Sequence, residues 1–216
     1  METVINNTII KQLNWRYAVK KFDSTRKISD RDLQTLEESL RLAPSSYGLQ
    51  PCKFLIVQST EVLKRFTSAS WNQPQIEDSS HLVVVTHLKE MTEDYIDKYV
   101  HTFSKVREVP ENELQPFRNL MINKVTKGPL SLNQSNWTAR QAYLAVGSFL
   151  KVAALLKIDV CPMEGIIPER YDVILGLKDS PYETIAVLAA GYRAADDKTQ
   201  FAKKVRFDLN DVISIV

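Results

Sequence analysis

A chain of 216 residues with nearly balanced charge has the composition of a globular protein, not of a disordered or polyanion-binding one. Hydrophobic residues make up 44% of the sequence and charged residues 25%, and 28 basic against 26 acidic side chains leave a net charge of +2. The balance argues against nucleic-acid binding. The length fits one domain, spanning residues 1–216, with a core of its own.

The N-terminus and the apolar runs argue against export and membrane insertion. Polar residues at 6–8 interrupt the stretch in which a signal peptide would be apolar. The longest apolar runs, at 82–85 and 185–190, are far shorter than the roughly 20 residues of a membrane span. We therefore expect a cytoplasmic protein. Its two cysteines, Cys52 and Cys161, are expected to be buried thiols and not a disulfide.

The first half of the chain predicts helices that alternate with strands. Apolar spacing, capping residues and short apolar runs give these boundaries. The predicted elements, in chain order, are a helix over 4–13, a helix that Ser29 caps and that ends before Pro44, a buried strand over 54–57, a helix from Thr60 to Phe66, a polar loop over 71–75 and a buried strand over 82–85.

The second half continues the alternation and ends in a segment without a partner. The predicted elements are amphipathic helices over 90–127 broken by Pro110 and Pro116, a central helix from Asn136 to Leu156, a strand over 158–160, a helix that Pro168 begins and Gly176 ends, a strand over 185–189 and a strand over 212–216. The last strand has no obvious neighbour in the chain. Such a tail often pairs with a neighbouring subunit.

Four cations near the two ends of the chain could share one anion. Arg16 and Lys20 would point the same way if the first helix continued that far. Lys204 and Arg206 would share one side of an extended segment. Together they could hold a phosphate monoester, whose charge offsets the crowding of the cations. Each pair alone is equally typical of a solvated basic stretch.

Two loops offer small polar groups to a ligand. Pro44, Ser45 and Ser46 follow a helix and present hydroxyls and free amides. The turn Pro162-Met163-Glu164-Gly165 follows a short strand, and its glycine permits close approach of the backbone to a flat ligand. Each loop is also compatible with an ordinary turn.

Several other chemistries have no sequence signal. The chain has neither a GxGxxG dinucleotide fingerprint nor a P-loop. Its three histidines lack metal-ligand spacing, so no metal site is predicted. No GxSxG motif surrounds a serine, which argues against a serine hydrolase.

The motifs taken together resemble the FMN-dependent nitroreductase family, in the branch of oxygen-insensitive NAD(P)H nitroreductases and dihydropteridine-reductase-like enzymes. The resemblance covers nearly the whole chain. The pieces, in family order, are RYAVKKFD, APSSYGLQPCKFLIV, the Asn72 loop before HLVVV, QAYLAVG, PMEGI and KKVRF. It implies an α+β fold, a three-layer α/β/α sandwich with a mainly antiparallel sheet. It also implies an intertwined homodimer with FMN at each subunit interface.

The resemblance assigns roles to individual positions. Arg16, Lys204 and Arg206 would hold the FMN phosphate, and Lys20 would lie near N1 and O2 of the ring. The amides of Glu164 and Gly165, in the turn with Pro162 and Met163, would lie near N5. The other implied contacts are Tyr17 and Ala18 through their backbone, Pro44, Ser45 and Ser46 to the flavin of the partner subunit, Asn72 to the pyrimidine edge, and Gln141 in the same pocket. Gly48 and Gln75 stand where well-known relatives carry asparagine and lysine.

The implied reaction is hydride transfer from NAD(P)H, in ping-pong order, to a nitroaromatic, a quinone or a related small acceptor. Solvent can supply protons in an open cleft, so no side chain is expected to be catalytic. Gln75 in place of lysine predicts a lower flavin potential than in lysine-bearing members. Phe103 or Phe117 could gate the pocket, and the sequence does not decide between them.

Two alternatives of other classes remain. One is a non-catalytic FMN-binding or flavin-handling protein. The other is an interaction protein that keeps the fold without a cofactor. Retention of the four cations argues against the second, because packing does not require them.

Overall fold

The centre of the fold is a four-stranded antiparallel sheet with the order β1-β2-β4-β3. The computed structural model describes residues 2–216. Its strands are β1 (Cys52–Val57), β2 (His81–Leu88), β3 (Asp159–Met163) and β4 (Tyr182–Gly191). The two central strands pair along the whole of β2, from His81 opposite Ala190 to Leu88 opposite Tyr182, with one irregularity after Val85. β1 and β3 are the edges of this sheet.

Helices cover both faces of the sheet. Their bounds are α1 (Glu2–Trp15), α2 (Asp30–Arg41), α3 (Thr60–Thr67), α4 (Gln75–Asp78), α5 (Glu93–Arg107), α6 (Gln115–Met121), α7 (Gln134–Leu155), α8 (Pro168–Ile174) and α9 (Leu209–Val212). Val83 and Val85 of β2 pack in one cluster with α2 and α7. Leu82 and Val84 pack in another with α3 and α8. The predicted three-layer α+β sandwich with an antiparallel sheet is therefore confirmed.

Burial on both faces explains why the strands read as continuous apolar runs. Every residue of β2 is buried, because alternate side chains enter different cores. β1 is different, since it lies at an edge and most of its residues are only half-buried. The predicted strand over 54–57 is thus real, but the expectation that it is fully buried is wrong.

The helix ends follow the capping signals closely. Ser29 caps α2 by accepting a hydrogen bond from the amide of Asp32 at 3.1 Å. Pro168 begins α8, and Gly176 follows it with a φ of +68°. Two predicted starts are displaced. Ser59, not Thr60, is the N-cap of α3, and α7 begins at Gln134 rather than at Asn136.

The C-terminal segment corrects a prediction. Residues 212–216 do not form a strand; α9 ends at Val212 and the residues after it have no regular structure. A strand needs a neighbour for its backbone hydrogen bonds, and within residues 2–216 the segment has none. Its apolar side chains are exposed, Ile215 to 99%.

Two further features bear on the sequence predictions. Both cysteines are free thiols; Cys161 is buried, whereas Cys52 is only half-buried. Among the helices of residues 2–216, none combines the length and the hydropathy that a bilayer span needs.

Candidate functional site

Three of the four predicted cations line one cleft. Arg16, Lys204 and Arg206 meet in a cavity of about 370 Å³ between the end of α1 and the chain that follows β4. Lys204 donates from Nζ to the backbone oxygen of Leu13 at 3.0 Å, and also to that of Arg16. No acidic residue of the described chain is among those that line the cleft. The arrangement is a concentration of positive charge.

The electrostatics of the cleft favour an anion. Burial, and then the charge of Arg206, lower the pKa of Arg16. Burial, and then the charges of Arg16 and Arg206, lower the pKa of Lys204. Lowered pKa values mean that the protonated forms are destabilised by desolvation and mutual repulsion. An anion in the cleft would relieve that repulsion.

The segment from Arg16 to Lys20 is not helical, which corrects the assumed continuation of the first helix. α1 ends at Trp15, and Ala18 then forms a parallel bridge with Val160 of β3. The segment therefore runs beside the sheet edge. Burial raises the pKa of the Cys161 thiol, and the charges of Lys20 and Arg16 oppose that shift. Both cations thus act on the β3 edge, although they do not share a helix face.

The segment after β4 contains a residue that the sequence reasoning missed. The carboxylate of Asp197 accepts hydrogen bonds from the Tyr17 hydroxyl at 2.9 Å and from the amide of Lys20 at 3.0 Å. The amides of Lys21 and Thr199 also donate to it, at 3.3 and 2.9 Å. The only sequence signal is an Asp followed two residues later by a threonine, a common turn pattern.

A second buried acid supports the same region. Asp159, at the start of β3, pairs with Arg193 through contacts of 2.9 and 2.5 Å. The guanidinium of Arg193 lies 4.2 Å from the ring centre of Trp15 and 4.5 Å from that of Tyr17. Tyr17 is therefore fixed through its ring and its hydroxyl.

The turn after β3 meets the loop that contains Asn72. The side chain of Gln73 donates to the backbone oxygen of Gly165 at 3.0 Å. A Cβ at Gly165 would lie 3.1 Å from ring carbons of Trp71, so the glycine permits this close approach. The predicted turn over 162–165 is shorter in the structure, because Pro162 and Met163 belong to β3 itself and only Glu164 and Gly165 follow the strand. Glu164 accepts a hydrogen bond from the Tyr143 hydroxyl. The predicted turn and the predicted loop are thus neighbours.

Trp71 is a second residue that the sequence reasoning left unassigned. Its side chain is 66% exposed although it packs on Gly165. Trp71 and Asn72 both have left-handed backbone, with φ of 53° and 57°. Strained backbone of this kind tends to occur where a loop has a function.

The loop with Ser45 and Ser46 is anchored on α7. The amide of Ser46 donates to Oε1 of Gln141 at 2.8 Å, and Nε2 of Gln141 donates to the backbone oxygen of Trp137 at 3.2 Å. Gln141 is thus engaged in holding the loop. The Ser45 hydroxyl accepts from the amide of Gln50 at 2.9 Å, and Pro44 is exposed. No hydrogen bond within the described residues joins this loop to the cation cleft.

The two departures from the family pattern have different surroundings. Gly48 has a φ of +76°, and a Cβ there would lie 2.6 Å from the hydroxyl of Tyr99. Gln75 begins α4 and is 5% exposed, and its Oε1 has no hydrogen-bond partner among the described residues. Gly48 is therefore required by a neighbouring side chain, whereas Gln75 has an unsatisfied polar atom.

The comparison with known families agrees with this geometry. A sequence model of the nitroreductase family matches residues 13–192. The chain belongs to the nitroreductase family. The match spans the cation segment at Arg16, both loops and the turn at Gly165, and it ends before Asp197 and Lys204.

Individual relatives match this nitroreductase over nearly its full length. A Staphylococcus epidermidis protein with the provisional name NAD(P)H nitroreductase is 34% identical over 97% of each chain. The Bacillus subtilis protein YfkO, with the same provisional name, is 29% identical over 98% of this chain and 99% of its own. A solved structure of a provisionally named nitroreductase from Exiguobacterium sibiricum, in complex with FMN, has a TM-score of 0.79. It is 21% identical and covers 96% of this chain and 97% of that one, which is a likeness of fold.

Proposed function

We propose that this nitroreductase is an FMN-dependent oxidoreductase that takes hydride from NAD(P)H and reduces nitroaromatics, quinones or related small acceptors in ping-pong order. The observation that carries the proposal is the cleft of Arg16, Lys204 and Arg206, in which no residue of 2–216 supplies an acidic lining. A phosphate monoester carries about −1.5 to −2 charges at neutral pH, which matches this excess of cations. The site residues and the single domain over 1–216 stay predictions.

The residues fit FMN along the β3 edge. Arg16, Lys204 and Arg206 would hold its phosphate, and the turn at Glu164 and Gly165 would supply backbone amides beside the ring. FMN, when bound, would supply the two-electron hydride chemistry. Lys20 is exposed near the same edge, where its cation would stabilise the negative charge that reduction places nearby.

The nucleotide and the acceptor would use the open side of the site in turn. Trp71 is exposed there and lies against Gly165, so its ring is accessible from solvent. We assign no side chain as a general acid, because solvent reaches such a surface. A cytoplasmic location fits a supply of reduced nucleotide and stays a prediction.

We further propose that the protein works as a homodimer. The exposed tail with Ile213 and Ile215 is apolar, and β1 has a free edge beside a groove of about 500 Å³ lined partly by Leu40 and Phe54. Apolar tails and free strand edges are both favoured sites for pairing with another chain. In a dimer the Ser45–Ser46 loop would reach the flavin of the partner. Light scattering on the full chain and on a chain ending at Asp211 tests this proposal. We expect the full chain to be a dimer and the shortened chain to be a monomer. A monomeric full chain would contradict the proposal.

The experiment that tests the function is an absorbance spectrum followed by anaerobic addition of NADH and then NADPH. We expect a yellow protein that bleaches, and that recovers its colour when a nitroaromatic or a quinone is added. The chromophore released by denaturation should be FMN by chromatography. Bound FMN that neither nucleotide reduces would favour a flavin-handling protein. A colourless protein that FMN cannot reconstitute would refute the proposal.

A further inference from the structure

Asp197 is a buried carboxylate whose contacts join two distant parts of the chain. It is 3% exposed, and its Oδ2 accepts from the Tyr17 hydroxyl and from the amides of Lys20 and Lys21. Its Oδ1 accepts from the amide of Thr199. These partners belong to the two chain segments that carry the cations, and Tyr17 is 180 positions from Asp197 in sequence.

Each joined part carries a share of the cations. Asp197 fixes the backbone at Lys20, and with Tyr17 it fixes the short stretch that begins at Arg16. On its other side it caps the 3₁₀ turn Lys198–Phe201, which leads to Lys204 and Arg206. The hydrogen bonds from Lys204 to Leu13 and Arg16 then complete the junction.

The charge of Asp197 works against anion binding, which makes its position informative. Burial alone would raise the pKa of this carboxyl, but the hydrogen bonds from the amides of Lys20 and Thr199, together with those from the side chains of Tyr17 and Thr199, outweigh burial. The pKa therefore lies below its usual range. Asp197 is therefore ionised at neutral pH. A negative charge beside the cleft weakens the attraction of the cations for a phosphate. Any benefit to binding must come from geometry.

We propose that Asp197 is a positioning residue that holds the phosphate-binding cations in place before the phosphate arrives. The inference rests on the proposed function, since it assigns the cleft to the phosphate of FMN. Preorganisation lowers the ordering cost of binding, because the two chain segments are already joined. The gain should be larger for the phosphate, which Arg16, Lys204 and Arg206 would hold, than for the flavin ring, which of these cations only Lys20 would approach.

Asp197→Asn separates the geometric from the electrostatic role. An asparagine has one acceptor oxygen, so its NH₂ group must face either the amide of Thr199 or the three donors at Oδ2. Its loss of charge should by itself tighten phosphate binding, and its loss of contacts should weaken it. Asp196→Asn is the matched control, because Asp196 is exposed and, within residues 2–216, the side-chain partner of its carboxylate is Lys21.

The measurement is fluorescence titration of the apoprotein with FMN and with riboflavin, which lacks the phosphate. We expect Asp197→Asn to raise the Kd for FMN about tenfold, which is the effect of losing one or two hydrogen bonds to a charged group. The Kd for riboflavin should change by less than about twofold. Asp196→Asn should bind FMN as tightly as the wild type or slightly more tightly. Tyr17→Phe removes one of the contacts and should raise the FMN Kd by a smaller factor.

The outcomes that overturn the inference are distinct. FMN binding by Asp197→Asn that matches Asp196→Asn would show that the contacts do not position the cations. An equal loss of affinity for FMN and riboflavin would show a general structural role. Wild-type protein that binds FMN no better than riboflavin would overturn the proposed phosphate site together with this inference. If Asp197→Asn does not fold, the ratio of the Kd for FMN to the Kd for riboflavin, measured on Tyr17→Phe, decides in the same way.

Discussion

The glycine at position 48 should be required by Tyr99, and the requirement can be measured. Gly48 has left-handed backbone, which costs another residue roughly 1–2 kcal/mol. Its Cβ would also lie 2.6 Å from the Tyr99 hydroxyl, and displacing that group adds about 1–2 kcal/mol of overpacking. An alanine gains back roughly 0.4–1 kcal/mol by restricting the unfolded chain. We therefore expect Gly48→Ala to lower the free energy of unfolding by about 1–3.5 kcal/mol.

Tyr99→Phe provides the matched background for this substitution. Without the hydroxyl, the nearest ring carbon is 3.4 Å from the new Cβ, which is an ordinary contact. The overpacking should then disappear while the backbone strain remains. Urea unfolding of the two single variants and of the double variant, at one protein concentration, should give a favourable coupling of about 1–2 kcal/mol. Additive effects of the two substitutions would refute the reasoning.

Three other predictions follow from the site and the core. Lys204→Gln should raise the Kd for FMN about 10- to 100-fold and leave riboflavin binding unchanged in the same titrations. Lys198→Gln is the control, because it removes the same charge from an exposed lysine. Gln75→Lys should raise the FMN midpoint potential in a redox titration, Gln75→Met should not, and an unchanged potential in the lysine variant would contradict the interpretation. Burial lowers the pKa of His87 below 6.5, so the stability that its neutral form contributes should be complete above pH 6.5 and lost as the pH falls toward the lower folded-state pKa. His87→Gln should reduce the dependence of the unfolding free energy on pH over that range, and an unchanged pH dependence would count against this interpretation.

Much of the fold could be predicted from sequence because its signals are local. Ser29 and Pro168 mark helix starts through their own hydrogen-bonding and ring chemistry. β2 is an apolar run because it is buried on both faces. The exceptions depend on distant partners. Arg16 leaves the helix because Ala18 pairs with Val160.

The sequence predicts those site residues whose role follows from their chemical type. It does not predict the residues whose role depends on a contact with a distant part of the chain. Arg16, Lys204 and Arg206 could be proposed as cations for an anion. Asp197 and Trp71 were missed, since an aspartate in a turn and an exposed tryptophan in a polar loop have many possible roles. Gln141 was placed in the pocket, but its contact with the amide of Ser46 is visible only in three dimensions.

The distance in sequence between the residues of the cation cleft determines when a cofactor could bind to a newly synthesised chain. The contact between Lys204 and Arg16 joins residues 188 positions apart. Chains fold from the N-terminus as they are synthesised, so Arg16 emerges long before its partners exist. The cleft is complete only when the segment with Lys204 and Arg206 has left the ribosome. A stalled or truncated chain that lacks this segment would therefore lack two of the three cations of the proposed phosphate site.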